Sequence, residues 1–267
     1  MTSMKNAMDI LKVLPKNNCK ACHEPTCLVF AVNVFQGRKH LKDCPYIKKE
    51  VIGDFGSGIQ KNGEGPDELL QHVESLKEKI RNTDLREAAL RTGAEYSDGT
   101  LVIKVFGKDF RIDRHANLSS AIHMHPWIVI PLLNYVLNCG GVELSGKWAT
   151  MRDLKGGMAW EGLFQQRCEK PLKKIIDEHM QLFDLMTQIF NATTVSDDCG
   201  SDVSIVLKPL VKFPILIRYW KPDEGLESSL SICFDTSAPE NLDMDSIYAL
   251  GAGLVRMFEK IADTHAY

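Results

Sequence analysis

Four cysteines near the start of the chain, Cys19, Cys22, Cys27 and Cys44, stand as C-x2-C-x4-C-x16-C and constrain it more than any other feature. Three thiols crowd one short loop, and a fourth returns just before Pro45. Four thiolates at such spacing hold either a tetrahedral zinc or an iron–sulfur cluster. A disulfide set is the third arrangement the thiols allow.

The flanking residues favour the cluster. The spacing predicts a short helix over Asp9–Leu14, with Ile10, Leu11 and Leu14 on one face and Pro15 ending it. A second helix is predicted from Cys27 to about Gln36, with Thr26 as N-cap and Gly37 as stop. That places Cys27 in a first helical turn, where exposed N–H groups and the positive helix end stabilise a thiolate. Leu28, Val29, Phe30, Val32, Val34 and Phe35 make this helix apolar on most sides. One [4Fe–4S] cluster on Cys19, Cys22, Cys27 and Cys44 is therefore the expected centre, with a zinc knuckle as the competing one.

The segment Leu14 to Tyr46 resembles the small [4Fe–4S] domain of the corrinoid iron–sulfur protein large subunit, a domain that recurs in anaerobe proteins linked to methyl transfer. The resemblance rests on Leu14-Pro15-Lys16, Asn18, Pro25-Thr26-Cys27, Phe30-Ala31, Gly37 and Cys44-Pro45. It implies four cysteine ligands and low-potential electron delivery to cobalt. It does not imply that this chain binds a corrinoid, since the other domains of that subunit have no counterpart here. Members of the family tend to carry an acidic residue between the first two cysteines, and glycine after the second. Here those stretches read Lys20-Ala21 and His23-Glu24. Glycine there would serve a tight turn that aims N–H groups at sulfur. His23 instead brings an imidazole close to the thiols, either facing solvent or tuning the cluster's potential with pH.

Composition bounds the remainder. A chain of 267 residues, 44% hydrophobic, fits one large domain or a small one plus a medium one. A net charge of −3 argues against a general nucleic-acid binder. No apolar run is long enough to span a membrane, and the opening residues MTSMKNAMDI do not resemble a secretion signal. A cytoplasmic protein is expected, in keeping with the reducing compartment that thiolate ligands require. Cys139, Cys168, Cys199 and Cys233 are dispersed and read as ordinary thiols.

Five glycines fall between Ile52 and Pro66, which reads as a linker. The expected organisation is a cluster-binding helical module at 1–52, a Gly-rich linker at 53–65, and an α+β domain with a mostly antiparallel sheet at 66–267. In that domain a helix beginning at Pro66 carries Leu69, Leu70, Val73, Leu76 and Ile80 as its stripe. A second helix is predicted at about Leu85–Thr92, then a hairpin over Thr100–Asp113 turning at Gly107-Lys108. An apolar helix over Pro126–Asn138 follows, then one or two helices between Trp160 and Phe190. Strands are predicted at Asp202–Leu210, Phe213–Trp220 and Ser228–Phe234, and a last helix from about Asp243 to Ala262. Helices are expected on one side of one antiparallel sheet. This part resembles an uncharacterised domain that often follows the same cluster module in anaerobes. The likeness rests on Leu144-Ser145-Gly146-Lys147-Trp148, Gly156-Gly157, Trp220-Lys221-Pro222-Asp223-Glu224 and Phe234-Asp235.

Two constellations in this part invite a second site. His123 and His125 could ligate a metal with Asp223, Glu224 or Asp235, against a plain reading as capping histidines and turn acids. Trp148, Arg152, Trp160 and Trp220 could line a flat-ligand pocket, against a plain reading as core residues. No nucleophile–base pair stands out. The leading expectation is an iron–sulfur electron-transfer protein whose redox partner is a corrinoid protein or a corrinoid-dependent methyltransferase. The alternatives are a cluster-dependent enzyme using His123, His125 and the acids, and a binding module with a structural or sensing cluster.

Overall fold

The computed structural model describes residues 7–35, 39, 41–47, 66–121, 124–196 and 199–265. The proposed linker at 53–65, Gln36, Gly37 and His123 lie outside them. The chain divides into two compact units, Met1–Gln71 and His72–Tyr267.

The first unit is built on two short helices, α1 (Ala7–Val13) and α2 (Cys27–Phe35), and a 3-10 turn at Leu41–Asp43. The Thr26 hydroxyl accepts the Val29 N–H at 3.1 Å, so α2 starts where its cap dictates. Ile10, Leu14, Phe30, Ala31, Val34, Leu41 and Ile47 form a small core, and Cys22, Cys27 and Cys44 are part of it. So small a core contributes little stability unaided, and units of this size are commonly stapled by a metal or by disulfides.

Helix α3 (Pro66–Arg81) follows. Val73, Leu76 and Ile80 are buried, whereas Leu70 is 60% exposed. The expected stripe is thus one residue too broad, because a rotation of about 100° per residue carries Leu70 off the face that the other residues share. Helix α4 (Leu85–Thr92) is bounded by its own caps: Asp84 accepts from the N–H groups of Arg86 and Glu87, and Gly93 takes the left-handed conformation at φ 71°.

Strands β1 (Glu95–Ser97), β2 (Thr100–Val105), β3 (Lys108–Asp113) and β4 (Leu118–Ser120) form an antiparallel meander in chain order. Leu101, Ile103 and Val105 share its buried face. The hairpin turns one residue earlier than expected. Val105 pairs with Lys108, and Phe106-Gly107 is the two-residue loop with φ of 48° and 76°. Both central residues of such a tight turn need positive φ. Phe106 accepts it because its ring is buried, edge-on to Phe190 at 5.7 Å.

Helix α5 (Pro126–Asn138) is entered through His125, whose Nδ1 accepts the Trp127 N–H. It closes on the Arg91 guanidinium, which donates to the carbonyl of Cys139 at 2.6 Å. After β5 (Trp148–Thr150), the stretch expected as one or two helices is α6 (Glu161–Phe164), a wide π turn at Gln165–Glu169, α7 (Lys170–Glu178) and α8 (Leu182–Phe190). Then come β6 (Thr193–Thr194), β7 (Val203–Leu210), β8 (Phe213–Trp220), β9 (Ser229–Asp235), α9 (Ala238–Asn241) and α10 (Met244–His265).

These last strands form a second antiparallel sheet of order β5-β9-β8-β7-β6. The fold is α+β as expected, but its strands make two sheets rather than one. One apolar core joins Leu101 and Phe110 of the first sheet to Ile215, Ile232 and Phe234 of the second, with Leu132 of α5 and Leu254 of α10.

The close approach of α5 and α10 depends on Gly253. A Cβ there would lie 1.9 Å from Cε3 of Trp127. Gly253→Ala is expected to destabilise the second unit by about 1–3 kcal/mol, despite alanine's better helix propensity, because the indole must be displaced. A urea unfolding curve checks this; an unchanged or higher midpoint contradicts it.

Candidate metal centre

The cysteine loop between α1 and α2 is shaped by backbone that residues other than glycine rarely adopt. Lys16, Asn18, Lys20 and His23 all have left-handed φ, between 48° and 61°. Each costs about 1–2 kcal/mol relative to a relaxed conformation. Left-handed residues thus flank Cys19 and follow Cys22. Alternation of this kind curls a chain so that successive N–H groups face one concavity, a geometry used to hold phosphates and iron–sulfur clusters.

Three side-chain contacts fix the loop. Asn18 Oδ1 accepts the Cys27 N–H at 2.8 Å, tying the first cysteine's neighbour to the start of α2. Lys39 Nζ donates to the Cys22 carbonyl at 2.6 Å. The same ammonium pairs with Glu24 at 3.2 Å, where both side chains are largely covered. On the far side, Cys44 follows the 3-10 turn and donates its N–H to Leu41 O at 3.2 Å. Cys22, Cys27 and Cys44 are each less than a tenth exposed and lie in one apolar cluster, while Cys19 is exposed at its edge. All four are free thiols.

This donor set suits an iron–sulfur cluster: four thiols, three of them buried in one apolar cluster with Phe30, Ala31 and Val34. Among the described residues, the four cysteines included, no three His, Cys, Asp or Glu side chains are already gathered to hold a metal ion, so the thiols would have to draw together around whatever they bind.

His23 occupies the stretch where the resembling family carries glycine, and it has positive φ. The turn that glycine would serve is therefore present, made by a residue that is strained in it. His23→Gly is expected to raise the unfolding midpoint of the loaded module, by about 1 kcal/mol in stability, with iron content unchanged. A lower midpoint contradicts this.

Among the described residues, the other candidates do not assemble. His125 caps α5, and its ring lies 5.9 Å from Trp127. Asp223 and Glu224 sit on a tight turn, in which Asp223 and Leu226 exchange backbone hydrogen bonds and Glu224 has φ 35°. Asp235 is 1% exposed and points into its own loop, accepting from Ser145, Gly146 and Ser237. Trp160 stacks on Tyr248 at 5.5 Å, and Arg152 reaches Glu161. A groove of about 810 Å³ between α8 and β7 is lined by Phe183, Asp184, Asp202 and Ser204, and by none of the four tryptophans. Cys139, Cys168 and Cys233 are buried, and burial pushes the Cys168 thiol up to about 12, which keeps it protonated.

Sequence reasoning gave Asn18 no role beyond the resemblance, and none to Lys39. Their partners become neighbours only once the loop closes. The signal within reach was an amide side chain directly before the first cysteine.

Residues 84–257 match the family model described as "Domain of unknown function (DUF3786)", and residues 14–46 match one described as "Putative Fe-S cluster". The chain is 50% identical over 40 residues to the corrinoid/iron-sulfur protein large subunit of Moorella thermoacetica, covering 15% of this chain and 9% of that protein. It is 43% identical over 55 residues to the acetyl-CoA decarbonylase/synthase complex subunit gamma of Methanocaldococcus jannaschii, covering 18% and 11%. The same subunit of Methanothermobacter thermautotrophicus is 42% identical over 41 residues, covering 15% and 9%. The chain thus spans only about a tenth of the length of these relatives. No solved structure matches. Together the matches support an iron–sulfur protein.

Proposed function

The chain belongs to the DUF3786 family, and we propose that it is an electron-transfer protein in which Cys19, Cys22, Cys27 and Cys44 hold one [4Fe–4S] cluster. The observation that carries this is the burial of Cys22, Cys27 and Cys44 in one small apolar cluster beneath the left-handed loop, with Cys19 at its exposed edge. Such a group supplies one-electron chemistry, while the protein sets its potential and its access to partners. Phe30, Ala31 and Val34 exclude water from three thiols, Asn18 and Lys39 hold the loop, and Cys19 marks the edge nearest solvent.

The partner in this reading is a corrinoid protein or a corrinoid-dependent methyltransferase. The named relatives are a corrinoid/iron-sulfur protein subunit and subunits of an acetyl-CoA decarbonylase/synthase complex, which is what favours cobalt as the acceptor. The transfer is one electron, from a low-potential donor by way of this chain to Co(II), giving Co(I), with no atom exchanged. The work belongs to the reducing cytoplasm; no described helix is long and apolar enough to cross a membrane. The domain division follows the same lines, with a cluster module at 1–52, a linker at 53–65 and the α+β domain at 66–267.

Anaerobic mixing of dithionite-reduced, desalted protein with cob(II)alamin tests the partner assignment. The reading expects the cob(I)alamin absorption band to grow faster than with the donor alone. No acceleration with free cobalamin or with a corrinoid protein contradicts it.

A further inference from the structure

We infer that the cysteine face of the first unit is a docking surface for a protein with an acidic surface; this rests on the iron–sulfur reading, under which a partner must come close to the thiols.

The charge of the chain is unevenly spread. Residues 1–52 carry nine Lys and Arg against four Asp and Glu, whereas the whole chain has 32 against 35. The excess lies beside the thiols. Lys16 and Lys20 flank Cys19, Lys42 lies two residues before Cys44, and all three are exposed. Glu24 is neutralised by Lys39 and largely covered, which leaves Asp43 as the exposed acid beside the cysteines.

Next to the cysteines in the chain stand apolar side chains that the small core does not absorb. Leu28 is 47% exposed and Val29 37%, both in the first turn of α2 next to Cys27. Tyr46, two residues after Cys44, is 60% exposed. A few apolar side chains with a charged rim describe a small, transient interface, of the kind redox encounters use. The positive rim speeds association with a negative partner and repels a positive one. Tyr46 is a single aromatic beside two aliphatic side chains, whereas single-stranded nucleic acid is held by successive aromatic platforms. The chemistry favours an acidic protein.

The test is isothermal titration of the cluster-loaded full chain with a small acidic ferredoxin as probe, at about 50 and about 300 mM NaCl. Iron and sulfide are assayed in every preparation. The expected result is an affinity that falls roughly tenfold across that salt range. Lys16→Glu with Lys42→Glu should weaken binding roughly tenfold at low salt and flatten the salt dependence. Leu28→Gln with Val29→Gln should weaken it while leaving the salt dependence in place. No binding by the loaded chain, or binding indifferent to salt and to charge reversal, overturns the surface and leaves the iron–sulfur reading standing. Tighter binding to a duplex DNA probe than to the ferredoxin also overturns it. Absence of iron and sulfide from the unsubstituted chain would remove the reading and the surface together.

Discussion

Cys27→Ala is expected to cut bound iron from about four per chain to less than about one, and to abolish any EPR signal on reduction. Cys27 combines the features that matter most: a thiol 7% exposed, a place in the first turn of α2, and a backbone N–H held by Asn18. Removing it takes away one ligand and opens the apolar cluster shared with Cys22 and Cys44. Metal binding and folding are linked in so small a unit, so the first unit should lose its protection against hydrogen exchange as well. The second unit has its own core and should unfold at an unchanged midpoint. Cys139→Ser is the control: that thiol is buried among Arg91, Asn241 and Gly141 of the second unit, and its loss should leave the iron content intact. Full iron in Cys27→Ala would remove this cysteine from the ligand set.

Asp235→Ala is expected to destabilise the second unit by about 3–5 kcal/mol, more than any other single change considered. The carboxylate is 1% exposed and accepts five hydrogen bonds. They come from the N–H and hydroxyl of Ser145, the N–H of Gly146, and the N–H and hydroxyl of Ser237. Through them the end of β9 holds the 145–147 loop and sets β5 alongside it, where Trp148 pairs with Asp235. Truncation takes this acceptor from the N–H groups of Ser145, Gly146 and Ser237 in a largely covered site.

A pH signature separates this role from simple packing. Burial alone would raise the Asp235 pKa, but the hydrogen bonds from Ser237 and Ser145 outweigh it and hold the carboxyl below its ordinary value. Its stabilising contribution is therefore complete above about pH 4 and is lost as pH falls through the lowered folded-state value. Asp235→Asn should be less stable at neutral pH and should lose less stability between neutral pH and acid. Parallel stability curves for the two proteins would contradict the assignment.

Asp235 also shows where sequence reasoning stopped. The sequence offers it as a candidate metal ligand because two histidines alone make an incomplete site. Three of its five hydrogen bonds come from residues some 90 positions earlier in the chain. Elements punctuated locally were legible. Asp84 and Gly93 bracket α4, and Pro126 opens α5, so both helices follow their expected limits. The strands β1, β4, β5 and β6 were missed because two or three residues are too few to show a period. Division of the strands into two sheets depends on pairings such as β5 with β9, which no local pattern encodes. At the thiol loop, spacing alone singles out the four cysteines as candidate ligands. The left-handed turns were hidden because Lys20 and His23, rather than glycine, make them.

In the proposed reading Cys19, Cys22, Cys27 and Cys44 hold one redox-active [4Fe–4S] cluster. The decisive measurement is the iron, sulfide and zinc content of anaerobically purified protein, with EPR before and after dithionite. The expected result is about four iron and four sulfide per chain, with a signal that appears on reduction. One zinc and no sulfide, obtained again after anaerobic expression with ample iron, would contradict it and make the thiol loop a structural knuckle.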